Sequence, residues 1–366
     1  MKSYKILIGI LLALVTLPFC GKNEGIIEKP PHIDPSAKKK IILMIGDGMG
    51  LSQITAASVH LGRPLNLEQC KYIGLQKVFA SDQLVPSSAS SITAIASGVK
   101  TKYDYVGLDA DGKKAVNIAE MLSNKGFATG IVTTSFVSDN TPAGFYGHNP
   151  DRYDREGIAL DLLTSGLDVV IGGGRDHFNQ RSDGLNLLDS LQSADFLVFD
   201  NLQAATVVEK GKVACFTDTF RPPKISEGRG DMLSDATLLA LRLLDDNENG
   251  FFLMVEGGQI DWACHFNDQE WLMDEMLDFD KVVGEVLDYA AKDGNTLVII
   301  TGDHETGGFA LTGGNESSGE VQTGFVIDDH TATMVPVFAF GPGAGNYTGV
   351  YKNTAFFEKF REFFGI

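Results

Sequence analysis

The sequence is poor in cysteine and in positive charge, and each shortage excludes a class of protein. Four cysteines lie scattered among 366 residues without paired spacing, so no disulfide framework is readable. Lysine and arginine number 30 against 48 aspartates and glutamates, which gives a formal net charge of −18. Such a chain offers no basic face for nucleic acid, and an anionic substrate must be attracted by something local. Bound metal ions are the obvious source of that local charge.

The first residues have the layout of an export signal. Lys2 and Lys5 precede an apolar run from Ile6 to Leu17, which predicts a signal peptide over residues 1–19 rather than a structural helix. The segment ending at Cys20 resembles a relaxed bacterial lipobox, and a plain secretory signal with an incidental cysteine is the alternative. Both interpretations predict an exported protein, either periplasmic or an outer-membrane lipoprotein anchored through Cys20.

The rest of the chain divides into a tether and one domain. Residues 20–39 contain three prolines and no hydrophobic periodicity, so they predict a tether. Residues 40–366 show neither an internal repeat nor a second linker, and they are numerous enough to bury a full core. We therefore expect a single catalytic domain over residues 40–366.

Short β-branched runs alternate with amphipathic stretches along this domain. The predicted strands are Ile41–Ile45, Gly130–Thr134, Asp168–Ile171, Phe251–Glu256, Thr296–Thr301 and Met334–Phe340. The predicted helices are Ala115–Asn124, Met232–Leu244, Glu270–Ala291 and Asn353–Phe364. Strands that are apolar throughout and separated by helices imply an α/β fold, with a mainly parallel central sheet and helices on both faces.

Polar residues stand where these strands end. Ligands in open α/β sheets gather at the carboxyl ends of strands, so these residues are the first candidates for a functional site. They are Asp47, Asp139, Thr141, Glu256, Asp303 and His304. For Asp47, which lies in a glycine-rich turn, a cap on the following helix is an equally open interpretation.

Three further side chains have the chemistry of metal ligands. Asp261 and His265 are four residues apart, which places both on one face of a helix and suits two ligands of one Zn²⁺ ion. An exposed salt bridge is the alternative, but the nearby strand end and glycines favour ligation. His330 precedes the last predicted strand and would by itself be an ordinary loop histidine.

Ser88 opens a predicted helix of small residues. Serine at a helix start is usually a cap, whereas a nucleophile there would benefit from helix-terminal N–H groups that face a bound oxyanion. No base lies near it in sequence, so a metal ion would have to lower the pKa of its hydroxyl.

Taken in order, these segments resemble the alkaline phosphatase family from about Lys40 to the C terminus. The motifs that carry the resemblance are Gly46-Asp47-Gly48, Ser88-Ala89, Thr141-Pro142-Ala143, Glu256-Gly257, Ile260-Asp261 with His265, Asp303-His304-Glu305-Thr306-Gly307-Gly308, and His330. The compact length and Trp262 are most similar to the compact bacterial members, including the cold-adapted ones. The resemblance implies hydrolysis of small phosphate monoesters through a phosphoserine at Ser88, by an enzyme that is usually a homodimer.

The resemblance also implies two Zn²⁺ ions and one Mg²⁺ ion. One Zn²⁺ site would consist of Asp261, His265 and His330. The second, beside Ser88, would consist of Asp47, Asp303 and His304. The Mg²⁺ site would share Asp47 and add Asp139, Thr141 and Glu256. Arg152, ten residues after Pro142, matches the family's phosphate-binding arginine.

Two departures from the family pattern have expected consequences. Ser87 stands where an aspartate usually orients the arginine, so we expect Arg152 to be held less firmly and phosphate to be retained more weakly. Asp139 occurs together with Trp262, whereas members with tryptophan there often carry histidine at the other position. A carboxylate favours Mg²⁺ over a third Zn²⁺ ion. A phosphodiesterase, a sulfatase and a non-catalytic phosphate- or metal-binding protein are the competing hypotheses.

Overall fold

The structure is a computed structural model that describes residues 37–366. The predicted signal peptide, Cys20 and all but the last residues of the predicted tether lie outside the described residues. Within residues 37–366, no helix combines the length and apolar character needed to cross a bilayer. The three cysteines of this part of the chain, Cys70, Cys215 and Cys264, are buried free thiols.

The described chain alternates between strands and helices. Its strands are β1 (Lys39–Gly46), β2 (Tyr72–Lys77), β3 (Ala128–Phe136), β4 (Val169–Gly173), β5 (Phe196–Phe199), β6 (Lys212–Phe216), β7 (Gly250–Gly257), β8 (Thr296–Thr301), β9 (Glu305–Thr306), β10 (Ala310–Asn315), β11 (Glu320–Gly324), β12 (His330–Thr331), β13 (Val335–Phe340) and β14 (Gly349–Lys352). Its α-helices are α1 (Leu51–Leu61), α2 (Ser88–Ser97), α3 (Ile118–Ser123), α4 (Asn140–Ala143), α5 (Arg155–Asp161), α6 (Asp176–Asn179), α7 (Leu187–Ser193), α8 (Leu202–Ala205), α9 (Met232–Leu244), α10 (Gln259–His265), α11 (Gln269–Asp293) and α12 (Ala355–Phe364).

Ten of these strands form one central sheet in the order β14-β2-β13-β8-β1-β7-β3-β4-β6-β5. Strand β13 is antiparallel to both of its neighbours, β2 and β8. The remaining pairings are parallel. This confirms the mainly parallel α/β sheet. The one reversed strand of the central sheet, β13, begins where the carboxyl ends of β2 and β8 lie.

The side chains of β1 show that both faces of the sheet are covered. Ile42 and Met44 join an apolar cluster that includes α9 and α11, whereas Ile41, Leu43 and Ile45 join one that includes α2 and α12. All five are fully buried. A strand buried on both faces cannot show polar alternation, which is why the apolar run predicts it correctly.

Helix α3 begins at Ile118, three residues later than predicted. The Asn117 side chain accepts a hydrogen bond from the Glu120 backbone N–H at 3.0 Å, and the Glu120 carboxylate accepts one from the Asn117 N–H at 3.1 Å. This reciprocal cap satisfies two helix-terminal donors and sets the start of the helix.

Candidate active site

The polar residues that follow the strands lie together at the carboxyl ends of the central strands, which we call the active edge of the sheet. Strands β1, β3, β7 and β8 run parallel and end there, and the reversed β13 begins there just after β12, which contains His330. Antiparallel pairing of β12 with β9 places His330 opposite Thr306. Two groups of potential metal ligands lie at this edge, each with ligand atoms within 4.8 Å of one another.

The first group consists of Asp47, Asp303 and His304, all buried. The His304 Nε2 atom lies 3.5 Å from Asp47 Oδ1 and 3.2 Å from Asp303 Oδ2. Both carboxylate oxygens are buried and receive no hydrogen bond from any residue in 37–366. Ser88 Oγ is 3.1 Å from the same His304 nitrogen. The Ser88 hydroxyl and two unsatisfied acceptors therefore converge on one imidazole.

The turn after β1 is shaped so that Asp47 can join this group. Helix α1 has Gly50 rather than Asp47 as its N-cap, and the Gly50 N–H donates to Gln53 Oε1 at 3.1 Å. Gly48 has a φ of +76°, and a Cβ atom there would lie 2.8 Å from Thr306 Oγ1. The Gly48 N–H also donates to Asp303 Oδ1 at 3.1 Å. Only glycine fits this close approach, and the capping interpretation of Asp47 is wrong.

The second group consists of Asp261, His265 and His330. On α10, His265 Nε2 lies 3.2 Å from Asp261 Oδ2, and His330 Nε2 lies 3.6 Å from Asp261 Oδ1. The Nδ1 atoms of the two histidines contact backbone carbonyl oxygens, at 2.6 Å for His265 and 2.8 Å for His330. A carbonyl oxygen only accepts, so Nδ1 carries the proton in each ring. Although burial opposes it, the hydrogen bond to Asp261 raises the pKa of His265 to about 9, so without a metal ion His265 Nε2 carries a second proton. Once that proton is lost, two Nε2 lone pairs face each other at 3.1 Å.

One hydroxyl links the two groups. Thr306 Oγ1 donates to Asp261 Oδ1 and lies 3.1 Å from His304 Nδ1, which must therefore donate to it. This arrangement leaves the His304 Nε2 lone pair facing Asp47, Asp303 and Ser88. In the motif Asp303-His304-Glu305-Thr306-Gly307-Gly308, Thr306 thus has a function that its sequence context does not reveal.

Two of the three remaining predicted metal ligands, Thr141 and Glu256, interact with Asp47. Thr141 Oγ1 donates to Asp47 Oδ2 at 3.3 Å, and the charge of buried Glu256 contributes to raising the pKa of Asp47. Asp139 faces a different partner, because its Oδ1 atom forms a 2.7 Å ion pair with Arg155 Nη2. Arg155, the first residue of α5 and three residues after Arg152, was not among the predicted site residues.

Burial makes the ionised carboxylates of this site unfavourable unless a cation is bound. Burial and then the nearby Asp303 charge raise the pKa of Asp47 well above its usual range, and burial likewise raises the pKa of Glu256. Burial, followed by the charge of His330, lowers the pKa of His304 far below its usual value. For Asp261, burial acts to raise the pKa, but the hydrogen bond from His265 and the neighbouring histidines outweigh it and lower the pKa. A divalent cation would stabilise the ionised carboxylates and the neutral imidazoles together.

Arg152 and Ser88 line a cavity of about 260 Å³ that also reaches Asp47, Asp261 and His265. Arg152 is only 8% exposed, and its Nη1 atom is buried without an acceptor among residues 37–366. Its guanidinium carbon lies 5.3 Å from the centres of the Tyr103 and Tyr153 rings. A buried guanidinium with an unpaired donor, in a residue that lines the same cavity as a serine, is suited to binding an oxyanion.

Fold and site together define a class, that of the metal-dependent hydrolases, with two candidate cation sites near a serine. The family model for alkaline phosphatase matches residues 38–323. Alkaline phosphatase 3 of Bacillus subtilis is 35% identical over 290 residues, which are 75% of this chain and 62% of that protein's length. Alkaline phosphatase of Escherichia coli is 30% identical over 407 residues, covering 90% of this chain and 86% of that protein.

Solved structures agree. Alkaline phosphatase from the Antarctic bacterium TAB5 is 37% identical, with a TM-score of 0.85 and coverage of 90% of this chain and 99% of that one. The cold-active enzyme of Shewanella sp. is 26% identical, with a TM-score of 0.82 and coverage of 89% and 99%. The chain belongs to the alkaline phosphatase family and is a phosphomonoesterase. The likeness to the cold-adapted members is confirmed, and the diesterase, sulfatase and non-catalytic hypotheses lose their support.

Proposed function

We propose that this enzyme hydrolyses small phosphate monoesters through a phosphoserine at Ser88, with two Zn²⁺ ions and one Mg²⁺ ion bound. The observation that carries the proposal is the convergence of His265 Nε2 and His330 Nε2, 3.1 Å apart, on the Asp261 carboxylate, with one ligand atom from each residue within 4.8 Å of the others. A Zn²⁺ ion can replace the proton on His265 Nε2 there and bind both ring nitrogens. Two imidazoles and a carboxylate are the ligands that Zn²⁺ prefers.

The other ligand sets fit the same assignment. Asp47, Asp303 and His304 offer two unsatisfied oxygens and one ring nitrogen, which suits the second Zn²⁺ ion. Asp47, Asp139, Thr141 and Glu256 offer only oxygen atoms, which suits Mg²⁺. Solved TAB5 variants in which Asp or Glu replaces a histidine have Mg²⁺ bound in the site termed M3. By analogy, we expect Asp139 to favour Mg²⁺ here.

The residues of the chain then perform two successive displacements at phosphorus. Bound Zn²⁺ supplies Lewis acidity that lowers the pKa of a hydroxyl and stabilises charge on attacking and leaving oxygens. Arg152 binds nonbridging oxygens of the substrate, and its buried Nη1 atom, which has no acceptor among residues 37–366, supports this role. Ser88 Oγ attacks phosphorus, and the alcohol leaves. Water then attacks the phosphoserine, which releases phosphate and restores the Ser88 hydroxyl.

A steady-state assay tests this function directly. We expect turnover of a simple aryl phosphate monoester, little turnover of a matched diester or sulfate ester, and loss of activity on chelation. Zn²⁺ should restore activity, and Mg²⁺ added afterwards should raise it further. After an acid quench, mass spectrometry should find phosphate on the Ser88 peptide. Ser88→Ala should abolish turnover and leave the metal content unchanged. Wild-type activity in this variant would contradict the proposal.

The location and assembly of the enzyme are also proposals. The layout of residues 1–19 supports export. We propose a periplasmic or outer-membrane enzyme with a lipid on Cys20, and a homodimer as its assembly. Labelling with a radioactive fatty acid should be lost in Cys20→Ala, and sedimentation of the protein without residues 1–20 should give twice the monomer mass. An unlabelled wild type would contradict the anchor, and a monomer would contradict the dimer.

A further inference from the structure

The side chain of Ser87 does not orient Arg152 as the aspartate usually found at this position in the family orients the arginine. Ser87 is the N-cap of α2, where its Oγ atom accepts a hydrogen bond from the Ser90 N–H at 3.1 Å. Its single hydroxyl proton is donated to the carbonyl oxygen of Tyr103. Ser90 Oγ lies 3.3 Å away and completes this local network. Because the hydroxyl is used in the helix cap, the orientation of Arg152 must come from another residue.

Asn140, on α4, contacts Arg152 at two points. With its amide oriented to satisfy both contacts, Nδ2 donates to the Arg152 carbonyl oxygen at 3.0 Å and Oδ1 accepts from Arg152 Nη2 at 3.1 Å. The opposite orientation would place oxygen against oxygen and donor against donor, so it is excluded. Asn140 is 3% exposed, and burial strengthens both bonds by excluding water.

We propose that Asn140 is a positioning residue that orients the Arg152 guanidinium toward phosphate. It holds the Nη2 side of the planar group, while Nη1 is buried without an acceptor among residues 37–366, and Arg152 lines the same cavity as Ser88. The inference rests on the proposed role of Arg152 in binding phosphate. Unlike an aspartate, the neutral amide fixes the guanidinium without offsetting its positive charge. That matters in a cavity already lined by Asp47, Asp139 and Asp261.

A double-mutant cycle separates positioning from a general structural effect. The variants are Asn140→Ala, Arg152→Ala and the double variant, and the readouts are kcat, KM, the inhibition constant for inorganic phosphate, and bound Zn²⁺ and Mg²⁺. We expect Asn140→Ala to lower kcat/KM and weaken phosphate inhibition about tenfold, the loss of one hydrogen bond to a charged group. In the Arg152→Ala background, the same substitution should change neither value by more than about twofold.

The controls make each outcome decisive. An equal loss from Asn140→Ala in both backgrounds, unchanged phosphate inhibition in Asn140→Ala, or reduced metal content through its neighbours Asp139 and Thr141 would overturn the inference. If Arg152→Ala itself leaves phosphate inhibition unchanged, the proposed role of Arg152 fails, and the inference fails with it. Asn140→Leu keeps the side-chain volume and serves in the same cycle should Asn140→Ala not fold.

Discussion

Replacing Thr306 with valine should weaken zinc binding at both sites at once. The Thr306 side chain is fully buried, and its hydroxyl accepts from His304 Nδ1 at 3.1 Å and donates to Asp261. Valine keeps the shape but removes both hydrogen bonds. The His304 ring and the Asp261 carboxylate, which belong to different ligand groups, would each lose the partner that orients them.

The magnitude follows from the two lost contacts. A buried polar group left without a partner costs about 1–3 kcal/mol, and part of this cost also falls on the metal-free protein. A net effect of about 2 kcal/mol corresponds to an affinity about 30-fold weaker. That lies within the range of about 10- to 100-fold found for outer-shell partners of metal ligands.

Competition with a chromophoric chelator measures this effect on demetallated protein titrated with Zn²⁺. Thr306→Ser keeps the hydroxyl and should bind zinc within about threefold of the wild type. The reasoning would be refuted by Thr306→Val binding zinc as tightly as the wild type. It would equally be refuted by Thr306→Ser losing as much affinity as Thr306→Val.

Three further predictions concern the magnesium site, the turn at Gly48 and an ion pair of Glu120. Arg155→Met removes the cation paired with Asp139 at 2.7 Å, so half-maximal activation should need less Mg²⁺ than in the wild type; an unchanged requirement contradicts this. Gly48→Ala should lower the free energy of unfolding by about 2 kcal/mol or more and reduce the zinc content. Gly48 has a φ of +76°, and a Cβ atom there would clash with Thr306. A normal zinc content would refute the packing argument. Although burial opposes it, hydrogen bonding to His148 and Lys114 lowers the pKa of Glu120 from 4.5 to about 2. Its ionised form therefore stabilises the fold above pH 4.5 and loses this effect as the pH falls toward 2. Urea unfolding of Glu120→Gln should show a deficit of about 1 kcal/mol at pH 6 that shrinks with acid, and a constant deficit would contradict the assignment.

The central strands of the fold were predictable from sequence because burial on both faces leaves an uninterrupted apolar run, as in β1. Strands β2 and β14 were missed because they lie at or next to an edge of the sheet and are partly exposed, so they carry polar residues and glycine. Strands β5 and β6, toward the opposite edge, were also missed although both are mostly apolar, because runs of four and five residues are too short to distinguish a strand from a buried helix segment.

The candidate site shows a similar division. The pairing of Asp261 with His265 follows from helical spacing, which sequence displays directly. His330 lies 65 residues from His265 in sequence, and it is held near the site by the two-stranded sheet of β12 and β9. The roles of Asn140 and Thr306 depend on which atom each side chain faces, a property that residue type and spacing do not encode.

The central claim is that two triads of carboxylate and imidazole ligands each hold a zinc ion beside Ser88. Anomalous diffraction at the zinc edge, on crystals of the zinc-loaded enzyme, tests it most directly. We expect one peak at about 2.0–2.2 Å from ligand atoms of Asp261, His265 and His330, and another at the same distance from Asp47, Asp303 and His304. Absence of a peak from either triad in a zinc-loaded, active enzyme would contradict the claim.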